Sequence, residues 1–307
     1  MIFNWRVDKS YNPTYFTIMA KRKRKPIEEW ANLIRWKNTG VALACVAAAL
    51  TLGETRLPCI VKLLIYSAVG LIFAGGNVIN DYVDYESDAV GHPNRPIPSG
   101  TIERKIALIM GIVFFIGGVL FAALGAINYG PIPALIAIGA ALLLLFYDFI
   151  GGKIPFVGNF AVAILGGLVF IYPGSVQGLT KKHIFAAGFA VLIHLGREIV
   201  KDIADRAADE SVGIRTLPSI IGDTKAARLA SACLFLIVPL TILPYFIGVF
   251  SVWYLGTAIL FVDLPIILLA WLFPVGVTAR KASKFASDLK WIMIGGLVAL
   301  LLGGLTS

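Results

Sequence analysis

The sequence predicts an all-α, polytopic membrane protein with about nine transmembrane helices. Its 307 residues are 58% hydrophobic and only 15% charged, with a mean hydropathy of +0.83. Such a composition requires an apolar solvent rather than one soluble core. Apolar runs of about the length that a bilayer requires recur along the chain, and the Lys and Arg residues concentrate on one side of the resulting arrangement.

The apolar runs define the predicted spans in order. They cover residues 38–54, 58–79, 106–128, 131–150, 156–176, 184–201, 226–248, 252–273 and 288–305. The first run is short, at about 17 residues against the roughly 20 that cross a hydrocarbon core. Two closely spaced pairs of runs meet at Gly130 and around Ser251, where tight turns are expected and the count could change by one.

The distribution of Lys and Arg predicts the orientation. If the N-terminus is cytoplasmic, all but four of the 27 basic residues lie on the cytoplasmic side, and the outer side keeps Arg56, Lys62, Lys181 and Lys182. A bias this large predicts that the N-terminus faces the cytoplasm of a multi-pass cell-membrane protein. Residues 1–34 would then form a basic cytoplasmic arm near anionic lipid, and the net charge of +9 requires no nucleic-acid partner.

Half of the 18 Asp and Glu residues fall in two short windows. The first acidic window, residues 80–88, and the second acidic window, residues 198–210, follow the second and sixth predicted spans on the cytoplasmic side. They hold Asp81, Asp84, Glu86 and Asp88, and then Glu198, Asp202, Asp205, Asp209 and Glu210. Because both windows lie on one membrane face, they can meet.

In each window most of the carboxylates share one face of an ideal helix. At about 100° per residue, Asp81, Asp84 and Asp88 fall with Asn77 and Asn80 within an arc of about 100°. Glu198, Asp202, Asp205 and Asp209 fall within about 60°. Like charges at these spacings repel one another, so a cation should offset them. Oxygen ligands alone suit Mg²⁺, which commonly binds one or two carboxylates together with phosphate oxygens.

The two windows together therefore predict a Mg²⁺–diphosphate site. A solvated acidic loop is the alternative for either window alone. An EF-hand loop does not fit, because neither window has the Gly and the terminal Glu at the required offsets.

Basic residues near the windows can balance the charge of a diphosphate. Arg95 stands in a stiff segment that contains three prolines. Lys153 follows the fourth predicted span, and Arg215 follows the second window. The general excess of Lys and Arg in cytoplasmic loops explains these two residues as well as a phosphate-binding role does. Arg35 is placed to snorkel at the start of the first span. Asp263, inside the eighth span, should face the cavity or a neighbouring helix, because an ionised carboxylate in lipid is costly.

Two segments resemble the signatures of the UbiA superfamily of intramembrane prenyltransferases. The first reads NDxxDxxxD at 80–88 with NRPIPSG at 94–100, and the second reads REIVKDxxDxxxD at 197–209 with GIRTLP at 213–218. With a weaker match at Arg35 and Asn38, the resemblance runs from about residue 35 to the end. It implies a domain at 35–307 in which about nine helices surround a central cavity capped by helical cytoplasmic loops.

The resemblance also implies roles for individual residues. The Mg²⁺ ligands would be Asn80, Asp84, Asp88, Asp202, Asp205 and Asp209, with Asp81 in support. The catalytic set would be Asp84, Asp88, Asp205, Asp209 and Lys153. The diphosphate would contact Arg95, Lys153, Lys201 and Arg206, and the acceptor would contact Arg35, Asn38 and Arg215. The segment around Lys153 departs from the family pattern, in which a Tyr and a Lys stand closer together.

Within the superfamily, the strings most resemble archaeal ether-lipid enzymes. These transfer a geranylgeranyl group from its diphosphate to the hydroxyl of geranylgeranylglyceryl phosphate, so the predicted partners are a prenyl diphosphate, a lipid-phosphate acceptor and membrane lipid. Aromatic-acceptor prenyltransferases of quinone biosynthesis share similar strings and are the alternative. A divalent-cation transporter is more remote, because it would place acids near the bilayer midplane rather than at one face.

Overall fold

The computed structural model describes residues 26–211 and 213–306, without the side chains of Val90, Gly91 and Lys153. Over these residues the chain is helical and contains no strand, which confirms the predicted all-α class. The helices are α1 (Pro26–Leu33), α2 (Trp36–Thr51), α3 (Cys59–Val83), α4 (Tyr85–Gly91), α5 (Arg104–Ala126), α6 (Ile132–Phe149), α7 (Val157–Gln177), α8 (Lys181–Ser211), α9 (Leu217–Ile221), α10 (Asp223–Phe235), α11 (Ile237–Phe246), α12 (Val252–Ala258), α13 (Leu264–Leu272) and α14 (Ala279–Thr306). Helices satisfy their own backbone hydrogen bonds, as lipid requires.

Eight helical stretches among the described residues are long and apolar enough to cross a bilayer, and a bent pair would make nine. The eight are α3, α5, α6, α7, α8, α10 with α11, α12 with α13, and α14. The bent pair is α1 with α2, which meet at 55°. The prediction of about nine spans is confirmed, and the short first span is the ambiguous one. Its 16-residue helix reaches about 24 Å at 1.5 Å per residue, less than the roughly 30 Å hydrocarbon core.

Arg35 forms the bend between α1 and α2. Its backbone has φ 50° and ψ 55°, the left-handed conformation that non-glycine residues seldom adopt. The α1 helix packs on the bundle, with Leu33 fully buried in a cluster that includes Val78 and Ile97. Residues 26–34, which were assigned to the N-terminal arm, thus contact the helices. Residues 1–25 of that arm lie outside the described residues, and the division at residue 35 stays a prediction.

Small residues let the helices that carry the windows approach their neighbours. A Cβ on Gly118 of α5 would lie 2.6 Å from Ile72 of α3, and one on Gly111 would lie 2.7 Å from Ile79. Such close contacts are typical of helix pairs in membranes. Large apolar side chains on the outside of α5, including Ile116 and Leu120, are more than half exposed, as expected for a surface that faces lipid.

Asp263 makes a helix contact far from the acidic windows in sequence. It ends the π-helical turn Ile259–Asp263 that joins α12 to α13 and is only 3% exposed. The Thr241 hydroxyl of α11 donates to Asp263 Oδ1 at 2.8 Å. Of the two roles that the sequence left open, the structure gives this carboxylate the helix contact.

Candidate active site

The chain bends at Asp84, between α3 and α4, but the helical spacing of the first acidic window continues through the bend. Asp84 stands between the two helices with φ −80° and ψ 9°. The turn preserves the four-residue hydrogen-bond spacing, since Asp84 N donates to Asn80 O at 2.9 Å and Asp88 N donates to Asp84 O at 2.8 Å. Asn80, Asp84 and Asp88 therefore keep the four-residue spacing that places them on one side of the chain, as the ideal-helix phase predicted.

Two arginines approach this window. Arg35 Nη2 donates to Asp81 Oδ1 at 2.6 Å and to Asn80 Oδ1 at 3.0 Å. Arg95 forms an ion pair with Asp88 and lies 3.6 Å from Asp81 Oδ1. The predicted acceptor residue Arg35 and the predicted diphosphate residue Arg95 thus meet at one buried carboxylate, because the bend at Arg35 and the stiff loop after α4 direct both side chains to α3.

Asp84 sits in an electrostatic environment that favours binding of a cation. Burial, and then the neighbouring charge of Asp88, raise the pKa of the Asp84 carboxyl above its usual range, while Arg35 and Arg95 oppose the shift. A carboxylate whose charge is disfavoured by burial and by a like charge gains stability when a metal ion arrives. The first window thus has the chemistry that a metal ligand requires.

The second acidic window lies in the C-terminal half of α8. Asp202 Oδ2 accepts a hydrogen bond from Asn159 Nδ2 of α7 at 2.8 Å. Arg206 donates to Glu210 at 2.8 Å and to Asp223, the first residue of α10, at 3.0 Å. The structure therefore engages this predicted diphosphate residue in ion pairs that link α8 to α10. Asp205 is exposed.

The two windows meet, as the sequence predicted. Asp209 lies close enough to Asp84 for their charges to interact. The Tyr147 side chain of α6 lies within reach of the charge of Asp84 in the first window and lines one cavity with Glu198 and Asp202 of the second. The ends of α3, α6 and α8 thus share one end of the bundle.

The segment between α6 and α7 supplies one partner to each window. Asp148, near the end of α6, accepts a hydrogen bond at its Oδ1 from Asn80 Nδ2 at 3.2 Å. Asn159, near the start of α7, contacts Asp202. Neither role was predicted from the sequence. Asp148 did carry a signal, because it is an acid within an apolar run and such residues are costly unless they have a function.

Two cavities flank the windows. One of about 730 Å³ opens between α1, α2 and the loop after α4, and its polar lining comprises Glu28, Asn32, Arg35, Asp81, His92, Asn94 and Arg95. A smaller one of about 50 Å³ is lined by polar residues that include Tyr147, Asn159, Glu198, Lys201, Asp202, Arg215 and Thr216. The predicted acceptor residues Arg35 and Arg215 are therefore separated, whereas Lys201 and Arg215 are brought together. Asn38 is exposed on α2.

Lys153 can be placed only by its backbone. It ends the short 3₁₀ turn Gly151–Lys153 that follows α6, and its side chain lies outside the described part of the chain. Its assignments to leaving-group catalysis and to the diphosphate stay predictions.

The donor atoms at the windows suit Mg²⁺ by type. They are carboxylate and amide oxygens, and one buried oxygen, Asp148 Oδ2, has no hydrogen-bond partner. Among the described residues, however, no group of three or more His, Cys, Asp or Glu side chains is close enough to hold a metal ion. Mg²⁺ commonly takes only one or two carboxylates and completes its shell with water and substrate phosphate, so the residues fit an ion that arrives with a diphosphate.

A model of the UbiA prenyltransferase family matches residues 41–294, most of the chain. The chain belongs to this family. The resemblance seen in the two acidic windows is thereby confirmed, and the membrane spans identify this UbiA-family chain as a multi-pass membrane protein.

Curated relatives of this UbiA-family chain include two archaeal enzymes that share one name. It is 41% identical over 180 residues to the digeranylgeranylglyceryl phosphate synthase of Methanothrix thermoacetophila, an alignment that covers 59% of this chain and 66% of that relative, just under two thirds of its length. It is 36% identical over 252 residues to the enzyme of the same name from Pyrococcus horikoshii, which covers 81% of this chain and 87% of the relative.

Solved structures share the fold. A structure of a digeranylgeranylglyceryl phosphate synthase superposes with a TM-score of 0.78 at 29% identity, covering 92% of this chain and all of that one. A UbiA homologue from Archaeoglobus fulgidus bound to GPP and Mg²⁺ superposes with a TM-score of 0.67 at 14% identity, covering 89% of this chain and 99% of that one. The second likeness, at this identity, concerns the fold alone.

Proposed function

We propose that this chain is a Mg²⁺-dependent prenyltransferase that moves a geranylgeranyl group from geranylgeranyl diphosphate to the free hydroxyl of geranylgeranylglyceryl phosphate. The C1–O bond to the diphosphate breaks and an ether bond to the acceptor oxygen forms, and the products are the doubly prenylated lipid phosphate, diphosphate and a proton. The observation that carries the proposal is the convergence of the two acidic windows through Asp84 and Asp209. The names of the archaeal relatives supply the acceptor.

Residues of both windows would bind the metal and the diphosphate together. Asp84, Asp88, Asp205 and Asp209 would hold the metal, with Asn80 and Asp202 beside them. When bound, Mg²⁺ would draw negative charge onto the leaving diphosphate and so weaken the allylic C1–O bond. Lys201, next to Asp202 at the smaller cavity, would contact phosphate oxygens.

Arginine contacts at the first window would rearrange when substrate arrives. Arg95 is paired with Asp88, and Arg35 with Asp81. A phosphate that recruits these guanidiniums would release the carboxylates for metal, because bidentate guanidinium–phosphate pairs are strong. Tyr147 and the other aromatic side chains near the windows would help to exclude water from a reactive carbocation.

The acceptor fits the larger cavity by size and charge. Its volume of about 730 Å³ is in the usual range for ligand sites, roughly 300–1,000 Å³. Arg35, the predicted acceptor residue, lines it and suits a phosphate monoester, while Arg95, which also lines it, would contact the diphosphate. A cation transporter is disfavoured, because both windows stand at helix ends rather than in the middle of the spans.

The orientation is part of the proposal. Both windows and the basic residues around them would face the cytoplasm, and the basic N-terminal residues would lie against anionic lipid on the same side. An aqueous pool of geranylgeranyl diphosphate would then have direct access to the site.

A product assay tests the function. Purified full-length protein would be incubated with Mg²⁺ and geranylgeranyl diphosphate, with either geranylgeranylglyceryl phosphate or 4-hydroxybenzoate, and products would be identified by mass spectrometry. The expected product is the ether of the lipid phosphate. A prenylated aromatic acid would instead assign the chain to quinone biosynthesis, and metal flux into proteoliposomes without prenyl transfer would assign it to transport.

A further inference from the structure

Asp148 is a buried carboxylate with one unused oxygen. The residue is 6% exposed. Its Oδ1 accepts a hydrogen bond from Asn80 Nδ2 at 3.2 Å, whereas its buried Oδ2 has no hydrogen-bond partner. A buried charge without a partner is destabilising, so this oxygen is open to a ligand.

The position of Asp148 in α6 gives no structural reason for a carboxylate. It is the last residue but one of α6, which ends at Phe149. The partial negative charge at a helix C-terminus disfavours an acidic side chain there. An Asp at this place therefore costs helix stability.

The surroundings of Asp148 hold more negative than positive charge. Its charge interacts with those of Asp84 and Asp81 and with Arg35. Arg35 already donates hydrogen bonds to Asp81 and to Asn80. Its positive charge is therefore shared with Asp81 and only partly compensates the charge of Asp148. The cluster therefore favours a further cation at the open oxygen.

We propose that Asp148 is an additional carboxylate ligand of the Mg²⁺ centre at the first acidic window, acting through Oδ2 directly or through one metal-bound water. The proposal rests on the metal centre of the proposed function and adds a ligand from α6 that lies outside both windows. Asn80 would act as its orienting partner, because its amide donates to Oδ1 and leaves Oδ2 free to bind the ion. Hydrogen-bonded partners of this kind set the geometry of metal ligands.

Metal titration of the full chain with inorganic diphosphate present, read against the same titration without protein, tests the proposal. Mn²⁺ would replace Mg²⁺, and free Mn²⁺ would be counted by electron paramagnetic resonance for the wild-type protein and for Asp148→Asn. The Asn side chain keeps the volume and an oxygen for the Asn80 hydrogen bond but removes the charge. We expect Mn²⁺ to bind about tenfold more weakly or worse.

Asp263→Asn is the matched control. Asp263 is also buried, also accepts one hydrogen bond through Oδ1, and also has an Oδ2 without a partner. It lies instead at the junction of α12 with α13, where its partner is Thr241 of α11. Its substitution should leave the Mn²⁺ affinity unchanged. An equal loss in both variants would mean that any buried Asp matters through stability, and would overturn the proposal.

Asp84→Asn separates this proposal from the proposed function. If Asp84→Asn weakens Mn²⁺ binding and Asp148→Asn does not, the ligand role of Asp148 is wrong and the metal centre stands. If neither variant weakens binding, the metal centre itself fails.

A second measurement needs no variant. Fe²⁺ with ascorbate and peroxide cleaves the backbone next to a bound metal. In the wild-type protein we expect fragments that end near Asp84 and near Asp148, both suppressed by excess Mg²⁺. Cleavage near Asp84 without cleavage at the end of α6 would overturn the proposal.

Discussion

Asn159 Nδ2 of α7 donates a hydrogen bond to Asp202 Oδ2 of α8 at 2.8 Å, and this contact ties the second acidic window to the neighbouring span. Asn159 is itself buried. The start of α7 therefore fixes one carboxylate of a window that lies 43 residues further along the chain.

Asn159→Leu should lower both stability and activity. The substitution removes a donor from a partly buried carboxylate, which typically costs about 1–3 kcal/mol, and frees Asp202 to turn away from the site. Thermal unfolding in detergent and kcat measure the two effects. The control is Thr241→Val, which takes the hydroxyl from Asp263; it should lower the unfolding temperature to a similar degree and leave kcat unchanged.

Asp84→Asn should abolish prenyl transfer without unfolding the protein. Burial and Asp88 already disfavour the charged Asp84 carboxyl, so its neutralisation should leave the metal-free unfolding temperature unchanged or raise it. We expect kcat to fall by about 100-fold or more, because removal of one group that stabilises charge in the transition state typically has an effect of this size. Loss of activity together with a clearly lower unfolding temperature would mean that Asp84 has a structural role instead.

Mg²⁺ and diphosphate should stabilise the protein together more than either does alone. Arg95 pairs with Asp88 and Arg35 with Asp81, so a metal ion alone competes with two ion pairs that a phosphate can take over. By linkage, stabilisation rises with the ratio of ligand concentration to Kd. Thermal shifts with Mg²⁺, with inorganic diphosphate and with both would show this; purely additive shifts would contradict the proposed rearrangement.

Arg35→Gly should be more stable than Arg35→Ala. Both variants lose the guanidinium contacts with Asp81 and Asn80, but Gly adopts the left-handed backbone at φ 50° more easily than Ala, by about 1 kcal/mol. The difference in unfolding temperature between the two variants measures the cost of the left-handed backbone conformation at this residue. Equal stability of the two variants would indicate that the bend between α1 and α2 relaxes once the ion pair is lost.

Gly118→Ala should destabilise the bundle, whereas Gly139→Ala should not. A Cβ at Gly118 would lie 2.6 Å from Ile72 and 3.0 Å from the Ala68 carbonyl oxygen, while a Cβ at Gly139 meets nothing within 4 Å. Overpacking of this kind typically costs about 1–3 kcal/mol. The yield of monodisperse protein and its unfolding temperature distinguish the two variants, and an unchanged Gly118→Ala protein would mean that α3 and α5 can separate at low cost.

Much of the site was predictable from local sequence. The spacing of Asp84 and Asp88 and of Asp205 and Asp209 follows helical periodicity, and their place after apolar runs sets them on one membrane face. That reasoning requires no tertiary contact, because periodicity and span length are properties of consecutive residues.

The partners of those acids were not predictable in the same way. The resemblance assigned Arg35 to an acceptor and Arg206 to a diphosphate, and these assignments stay predictions. The structure adds the ion pairs of Arg35 with Asp81 and of Arg206 with Glu210 and Asp223. Long side chains reach several partners, and only the packed helix positions decide which is nearest.

The sequence by itself determined that the chain spans a membrane with about nine helices and carries two acidic windows at one end of them. Only the tertiary structure decided that Asp84 and Asp209 lie near one another. It also decided that Asp148 contacts the first window and Asn159 the second, and that Asp263 contacts Thr241 rather than the cavity. The physical reason is that hydropathy and helical phase are local, whereas a hydrogen bond between residues 68 positions apart, as from Asn80 to Asp148, depends on how α3 and α6 pack.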